Sequence, residues 1–160
     1  MNVKSQAFTM PVQLSDLAAT EALGARIAAG LGIGDAVALK GDLGAGKTTL
    51  ARAILRALGV TESVPSPTFT LVQTYETARL AVRHYDLYRI RNPREIDELG
   101  LDDALDEGAV LIEWPENAEG HLPGDLLHVA LTTTGPGSRR ADIAGPVRWA
   151  SLLSGDALVR

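Results

Sequence analysis

Gly41-Asp42-Leu43-Gly44-Ala45-Gly46-Lys47-Thr48 fits the spacing G-x-x-x-x-G-K-[ST], and what flanks it decides the fold. Before it, Ala36-Val37-Ala38-Leu39 reads as a short buried strand. After it, Thr49 to Leu58 reads as a helix with Leu50, Ile54, Leu55 and Leu58 on one side and Gly59 placed to end it. Strand, glycine loop and helix are the context in which a phosphate-binding loop forms. Gly41, Gly44 and Gly46 let the backbone curl so that several N–H groups share one concavity, and the positive end of the following helix adds to its pull on phosphate oxygens. Lys47 then reaches the outer phosphates as a point charge, and the Thr48 hydroxyl takes a place on Mg²⁺. The bland alternative is a glycine-rich turn with a solvated lysine, and the agreement of strand, spacing and helix argues against it. Residues 41–49, Gly41 to Thr49, are therefore expected to bind a nucleoside triphosphate.

The rest of the composition sets bounds. A chain of 160 residues, with 46% hydrophobic and 22% charged residues, is ordinary for one folded domain, here taken as 1–160. The net charge of −5 supplies no basic field for direct contact with nucleic acid. With no cysteine, disulfides, thiolate metal sites and cysteine nucleophiles are excluded. Met1 to Pro11 is polar and lacks the apolar core of a signal peptide, and no apolar stretch approaches the roughly 20 residues of a membrane span. A cytoplasmic protein without membrane association is the expectation.

Along the chain, Ser15 and Asp16 can cap a first helix running to about Ala29, and Gly30, Gly32 and Gly34 turn it into the phosphate-loop strand. Pro65 and Pro67 hold the segment after the phosphate-loop helix extended. Phe69 to Tyr75 and Leu80 to Tyr88 read as strands that pair as a hairpin through Glu76 to Arg79. Asn92, Pro93 and Glu95 start a helix that runs to Leu105 and breaks near Gly100. Ala109-Val110-Leu111-Ile112 has the all-apolar character of a central parallel strand. Leu126 to Thr132 and Arg140 to Ile143 are later strands separated by Gly135-Pro136-Gly137, and Pro146 to Leu153 reads as a terminal helix.

A phosphate loop needs an acid for the metal, normally at the end of a neighbouring strand. Glu113, directly after the apolar run, holds that position, either anchoring Mg²⁺ or polarising a water. Trp114 beside it either lines the pocket or packs in the core. In His84-Tyr85-Asp86-Leu87-Tyr88-Arg89, Asp86 is a second acid near the terminal phosphate or, on spacing alone, the partner of Arg89 in a salt bridge. His84 by itself is a satisfied strand histidine. Ser66-Pro67-Thr68 is a stiffened loop with hydroxyls, a switch or merely a turn. Arg139 and Arg140 sit on a late turn within reach of phosphate or of nothing. No Asn-Lys-x-Asp follows Ile112 to read guanine, and no arginine-rich lid follows the central helix.

Taken together, residues 41–49, Ser66 to Leu71, His84 to Arg89 and Ile112-Glu113-Trp114-Pro115-Glu116 resemble, in order and spacing, the bacterial TsaE family. These are small ATPases of the machinery that makes threonylcarbamoyladenosine in tRNA. The resemblance spans about Leu14 to Ile143. It implies a three-layer, P-loop NTPase-like α/β fold with a mixed, mainly parallel sheet flanked by helices. It also implies binding of ATP and Mg²⁺, and hydrolysis in complex with the carbamoyl-transferring subunit and that subunit's structural relative, tRNA being met only through the complex. Carried over by residue, Lys47 and Thr48 hold phosphate and metal, Glu113 is a metal ligand and Asp86 a functional acid, so that Lys47, Glu113 and Asp86 form the catalytic set. Thr68 lies in the switch-like loop, Trp114 and Arg139 lie beside the nucleotide, and Thr20 borders the adenine. Two alternatives are a small-molecule kinase with the same loop and a nucleotide-dependent binding switch with negligible turnover.

Overall fold

Ala36–Lys40 forms β2, whose first four residues are buried, and the other elements are arranged around it. The structure, a computed structural model, describes residues 7–154. In chain order the other elements are β1 (Ala7–Leu14), α1 (Leu17–Gly30), α2 (Lys47–Ala57), β3 (Val72–Glu76), β4 (Ala81–Asp86), α3 (Glu95–Glu98) and α4 (Leu101–Glu107). They continue with β5 (Gly108–Glu113), a 3-10 turn (Pro115–Ala118), β6 (Leu127–Gly135), β7 (Ser138–Pro146) and α5 (Arg148–Leu153). The seven strands among the described residues form one sheet, in the order β1-β7-β6-β2-β5-β4-β3. The four central strands β6, β2, β5 and β4 run parallel; β3 and β7 join them antiparallel on either side, and β1 pairs antiparallel with β7, so that it runs in the direction of the centre.

The all-apolar runs are explained by cover on both faces. Val37, Leu39 and Leu111 enter one core with Leu23 and Ile27 of α1, Leu50, Ile54 and Leu55 of α2 and Trp149 of α5. Ala36, Ala38, Val110 and Ile112, one residue out of phase, enter the other with Ile96, Leu101 and Ala104. Leu50, Ile54 and Leu55 are 0% exposed, and burying side chains of that size contributes about 1.5–3 kcal/mol each, which pins α2, and the loop it follows, to the sheet. Among the described residues no helix is long and apolar enough to cross a membrane.

Several boundaries differ from expectation. β1 lies where only a polar terminus was expected: Phe8, Met10 and Val12 alternate with exposed neighbours and pack against the first core. Residues 1–6 of that terminus lie outside the described residues. β3 starts at Val72 rather than Phe69, because a turn intervenes; the Leu71 N–H donates to the Pro67 carbonyl at 2.7 Å, and Leu71 has φ 69°. The hairpin through Glu76 to Arg79 forms, with Glu76 opposite Ala81. The helix at 95–105 is split at Gly100 into α3 and α4. Its start is closed by the Glu95 carboxylate, which accepts the N–H groups of Arg91 and Asn92, both at 3.0 Å.

Strand register brings the carboxyl ends of three strands together. Glu113, last in β5, lies opposite Leu39 of β2 on one side and Asp86, last in β4, on the other. The glycine loop after β2, Asp86 and Glu113 thus emerge from the carboxyl edge of adjacent parallel strands, where open α/β sheets bind ligands.

Candidate functional site

The loop after β2 takes backbone conformations that require glycine. Gly44 has φ 82° and Gly46, the residue before α2, φ 105°. At Gly41 a Cβ would stand 2.7 Å from the Leu131 carbonyl oxygen. No side chain caps the start of α2 and no acid lies in its first turn, so its positive end stays available to an anion. Leu43, Gly44, Gly46, Lys47, Thr48 and Thr49 line a cleft of about 340 Å³. Gly41 and Asp42 stand behind it: their carbonyls accept from Lys47 Nζ at 2.5 and 3.0 Å. Lys47 is buried, with Nζ 4.3 Å from the Trp114 ring centroid. Burial pushes its ammonium below the usual lysine range, against the opposing pull of Glu113, Glu116, Asp86 and Asp42.

On the far side of the cleft, Glu113 is 3% exposed and accepts the Thr48 hydroxyl, whose oxygen lies 3.1 and 3.0 Å from its two carboxylate oxygens. His84 Nε2 lies 2.7 Å from Glu113 Oε2. A hydroxyl and a carboxylate side by side are hard oxygen donors of the kind Mg²⁺ takes when phosphate and water complete its shell, so the residues present fit that ion. Asp86, also buried, accepts the Ser66 and Thr68 hydroxyls at 2.9 and 3.2 Å and the Tyr88 N–H at 3.0 Å. The salt bridge expected from spacing is absent: the strand ends at Asp86, and Arg89 instead lies over the Phe69 ring at 4.7 Å. Trp114 lines the cleft, packs partly against the second core, and has its ring centroid 4.9 Å from that of Tyr88.

Arg139 is at the cleft and Arg140 is not. Arg139 Nε and Nη2 donate to the carbonyls of Ala45 and Gly44 at 2.9 and 3.2 Å, clasping the loop, whereas Arg140 pairs with Asp142. A second cavity of about 220 Å³ adjoins the first, sharing Gly46, Thr49 and Arg139. Ala45 and Thr20 line it, with Leu14, Leu17 and Leu131 as its apolar side. Those leucines escaped sequence reading. The signal for them lies in long-range pairing, since β1 meets β7 with Leu14 opposite Arg139.

A glycine loop between strand and helix, with an acid at the end of each of two neighbouring parallel strands, gives the chain a P-loop NTPase-like fold. The chain belongs to the TsaE family: the family described as "Threonylcarbamoyl adenosine biosynthesis protein TsaE" matches residues 14–141. It is 40% identical over 135 residues to the tRNA threonylcarbamoyladenosine biosynthesis protein TsaE of Rickettsia felis, covering 84% of this chain and 79% of that one. It is 39% identical over 135 residues to the protein of the same name from a Nostoc species, covering 81% and 82%. The crystal structure of Bacillus subtilis YdiB superposes with a TM-score of 0.78 at 28% identity, covering 96% of each chain.

Proposed function

We propose that this chain binds Mg²⁺ and ATP in the cleft and hydrolyses ATP in the company of partner proteins, as the energy-supplying subunit for threonylcarbamoyladenosine formation in tRNA. The observation that carries the reading is the contact of the Thr48 hydroxyl with Glu113, which joins the phosphate loop to a strand-end acid across the cleft. The amides of the loop and the start of α2 hold the phosphates, and Lys47 turns from the Gly41 and Asp42 carbonyls to meet their charge. Thr48 and Glu113 hold Mg²⁺, which supplies neutralisation of charge on the phosphate oxygens. Asp86 orients the attacking water, and its bonds to Ser66 and Thr68 tie the water-facing acid to the loop that senses the nucleotide. The nucleoside end occupies the adjoining cavity, against Leu14, Leu17 and Thr20. The partners are the carbamoyl-transferring subunit and its structural relative, with tRNA reached through the assembly. Phosphate release from ATP by the chain alone, then with those partners, tests this. Release that rises on adding them supports the reading, whereas phosphorylated product without free phosphate would make the chain a kinase.

A further inference from the structure

His84 is two residues before Asp86 on β4, and alternate residues of a strand share a face. That face is the one under α2, since Val82 of the same set enters the core with Leu50 and Ile54. Register places His84 opposite Leu111, two residues before Glu113, so the ring sits one pleat below the acidic edge of the cleft. The ring is 0% exposed, its Nε2 is 2.7 Å from Glu113 Oε2, and its Nδ1 has no partner among the described residues. A neutral imidazole carries one N–H; with nothing for Nδ1 to donate to, that proton belongs on Nε2, which donates to Glu113. Packing alone does not explain the choice of residue, because an apolar side chain would fill the space without burying an unsatisfied nitrogen.

Glu113 has a second donor in the Thr48 hydroxyl, but that hydroxyl is nearly equidistant from both carboxylate oxygens and rotates freely about its own bond. Among the described residues only the ring, buried and mounted on a strand, distinguishes one oxygen from the other. We propose that His84 is the positioning residue of Glu113: its Nε2–H holds Oε2, leaving Oε1 as the oxygen offered to Mg²⁺. Ligating carboxylates are themselves hydrogen-bonded in this way, and loss of such a partner weakens metal affinity roughly 10–100-fold. The inference rests on the reading of the cleft as a Mg²⁺ and ATP site.

The test compares the parent chain with His84→Leu and His84→Gln by calorimetric titration with ATP, in EDTA and at increasing Mg²⁺. The leucine variant is expected to keep the parent's affinity in EDTA yet need roughly 10–100-fold more Mg²⁺ to reach the parent's Mg²⁺-supported affinity. Glutamine, whose amide N–H reaches the same oxygen, is expected to recover most of the difference. A leucine variant with the parent's Mg²⁺ requirement overturns the proposal, as do two variants equally weakened in EDTA, which would mark His84 as a packing residue. A parent chain that binds ATP identically with and without Mg²⁺ overturns the reading of the cleft and the inference with it. Should the leucine variant not fold, ¹⁵N spectra of the parent's imidazoles decide, with His121 and His128 assigned by substitution. An Nε2–H tautomer at His84 with and without Mg²⁺ and ATP is expected, and an Nδ1–H tautomer in the complex overturns the proposal.

Discussion

Lys47→Met separates binding from stability. In the folded chain Lys47 is 5% exposed, and its pKa is lowered chiefly by burial. The folded state therefore holds this proton less tightly than the unfolded chain does. Between the lowered value and the ordinary 10.5, stability rises with pH; below that window the penalty of the buried charge is present in full. Methionine keeps the length and removes the charge. It gives up two hydrogen bonds, to the carbonyls of Gly41 and Asp42, but the first residue is half-buried and the second exposed, so water can take their place. Relief of the burial penalty opposes that loss, and the change in stability is expected to stay within about 1 kcal/mol, or roughly 2–4 °C in Tm for a chain of this size. Nucleotide binding has no such offset. A charge-assisted hydrogen bond to phosphate is worth about 1.5–3 kcal/mol, so Kd should rise roughly 10- to 150-fold. Thermal melting and calorimetric titration with ATP and Mg²⁺ read the two effects on the same sample. Parental Kd in the variant would refute the phosphate-loop assignment. A stability loss of about 3–5 kcal/mol would instead make Lys47 the structural counter-ion of Glu113.

Glu113→Gln keeps the shape and removes the charge, so ATP binding is expected to survive while partner-stimulated phosphate release falls on the order of 100-fold; unchanged release would make Glu113 a structural carboxylate. Asp86→Asn retains an acceptor for the Tyr88 N–H and an amide that Ser66 and Thr68 can still meet, so it should cost about 1–2 kcal/mol in chemical denaturation. The same variant should eliminate tRNA modification in a reconstituted assay, and full activity there would return Asp86 to a structural role. Trp114 lines the cleft whereas Trp149 is buried under α1, so the emission of a Trp149→Phe chain is expected to change on adding ATP. Indifference to saturating ATP would place Trp114 away from the nucleotide.

The parts legible from sequence are those in which local chemistry and long-range structure demand the same thing. The glycine loop, the buried strand before it and the acid after Val110-Leu111-Ile112 each carry their reason within a few residues. β1 does not, because Pro11 and the polar residues nearer the start of the chain read as a tail. Proline is tolerated there only because β1 is an edge strand, and what makes it a strand is pairing with β7, more than 120 residues away. Phe69 misled in the opposite direction: an aromatic among β-branched residues suggested a strand, yet it is 83% exposed on a turn and carries Arg89 over its ring. That turn also explains why Arg89 does not meet Asp86. His84 was legible only as a strand histidine, since its distance from Glu113 depends on the pairing of β4 with β5. The apolar side of the second cavity is likewise assembled from β1, α1 and β6 and has no local signature.

The most direct test of the central claim is a crystal structure of the chain with a non-hydrolysable ATP analogue and Mg²⁺. Density is expected for the triphosphate against residues 44–48, for Mg²⁺ between Thr48 and Glu113, and for the base in the cavity beside Leu14, Leu17 and Thr20. A triphosphate bound elsewhere, or Mg²⁺ held without contact to either Thr48 or Glu113, would contradict it.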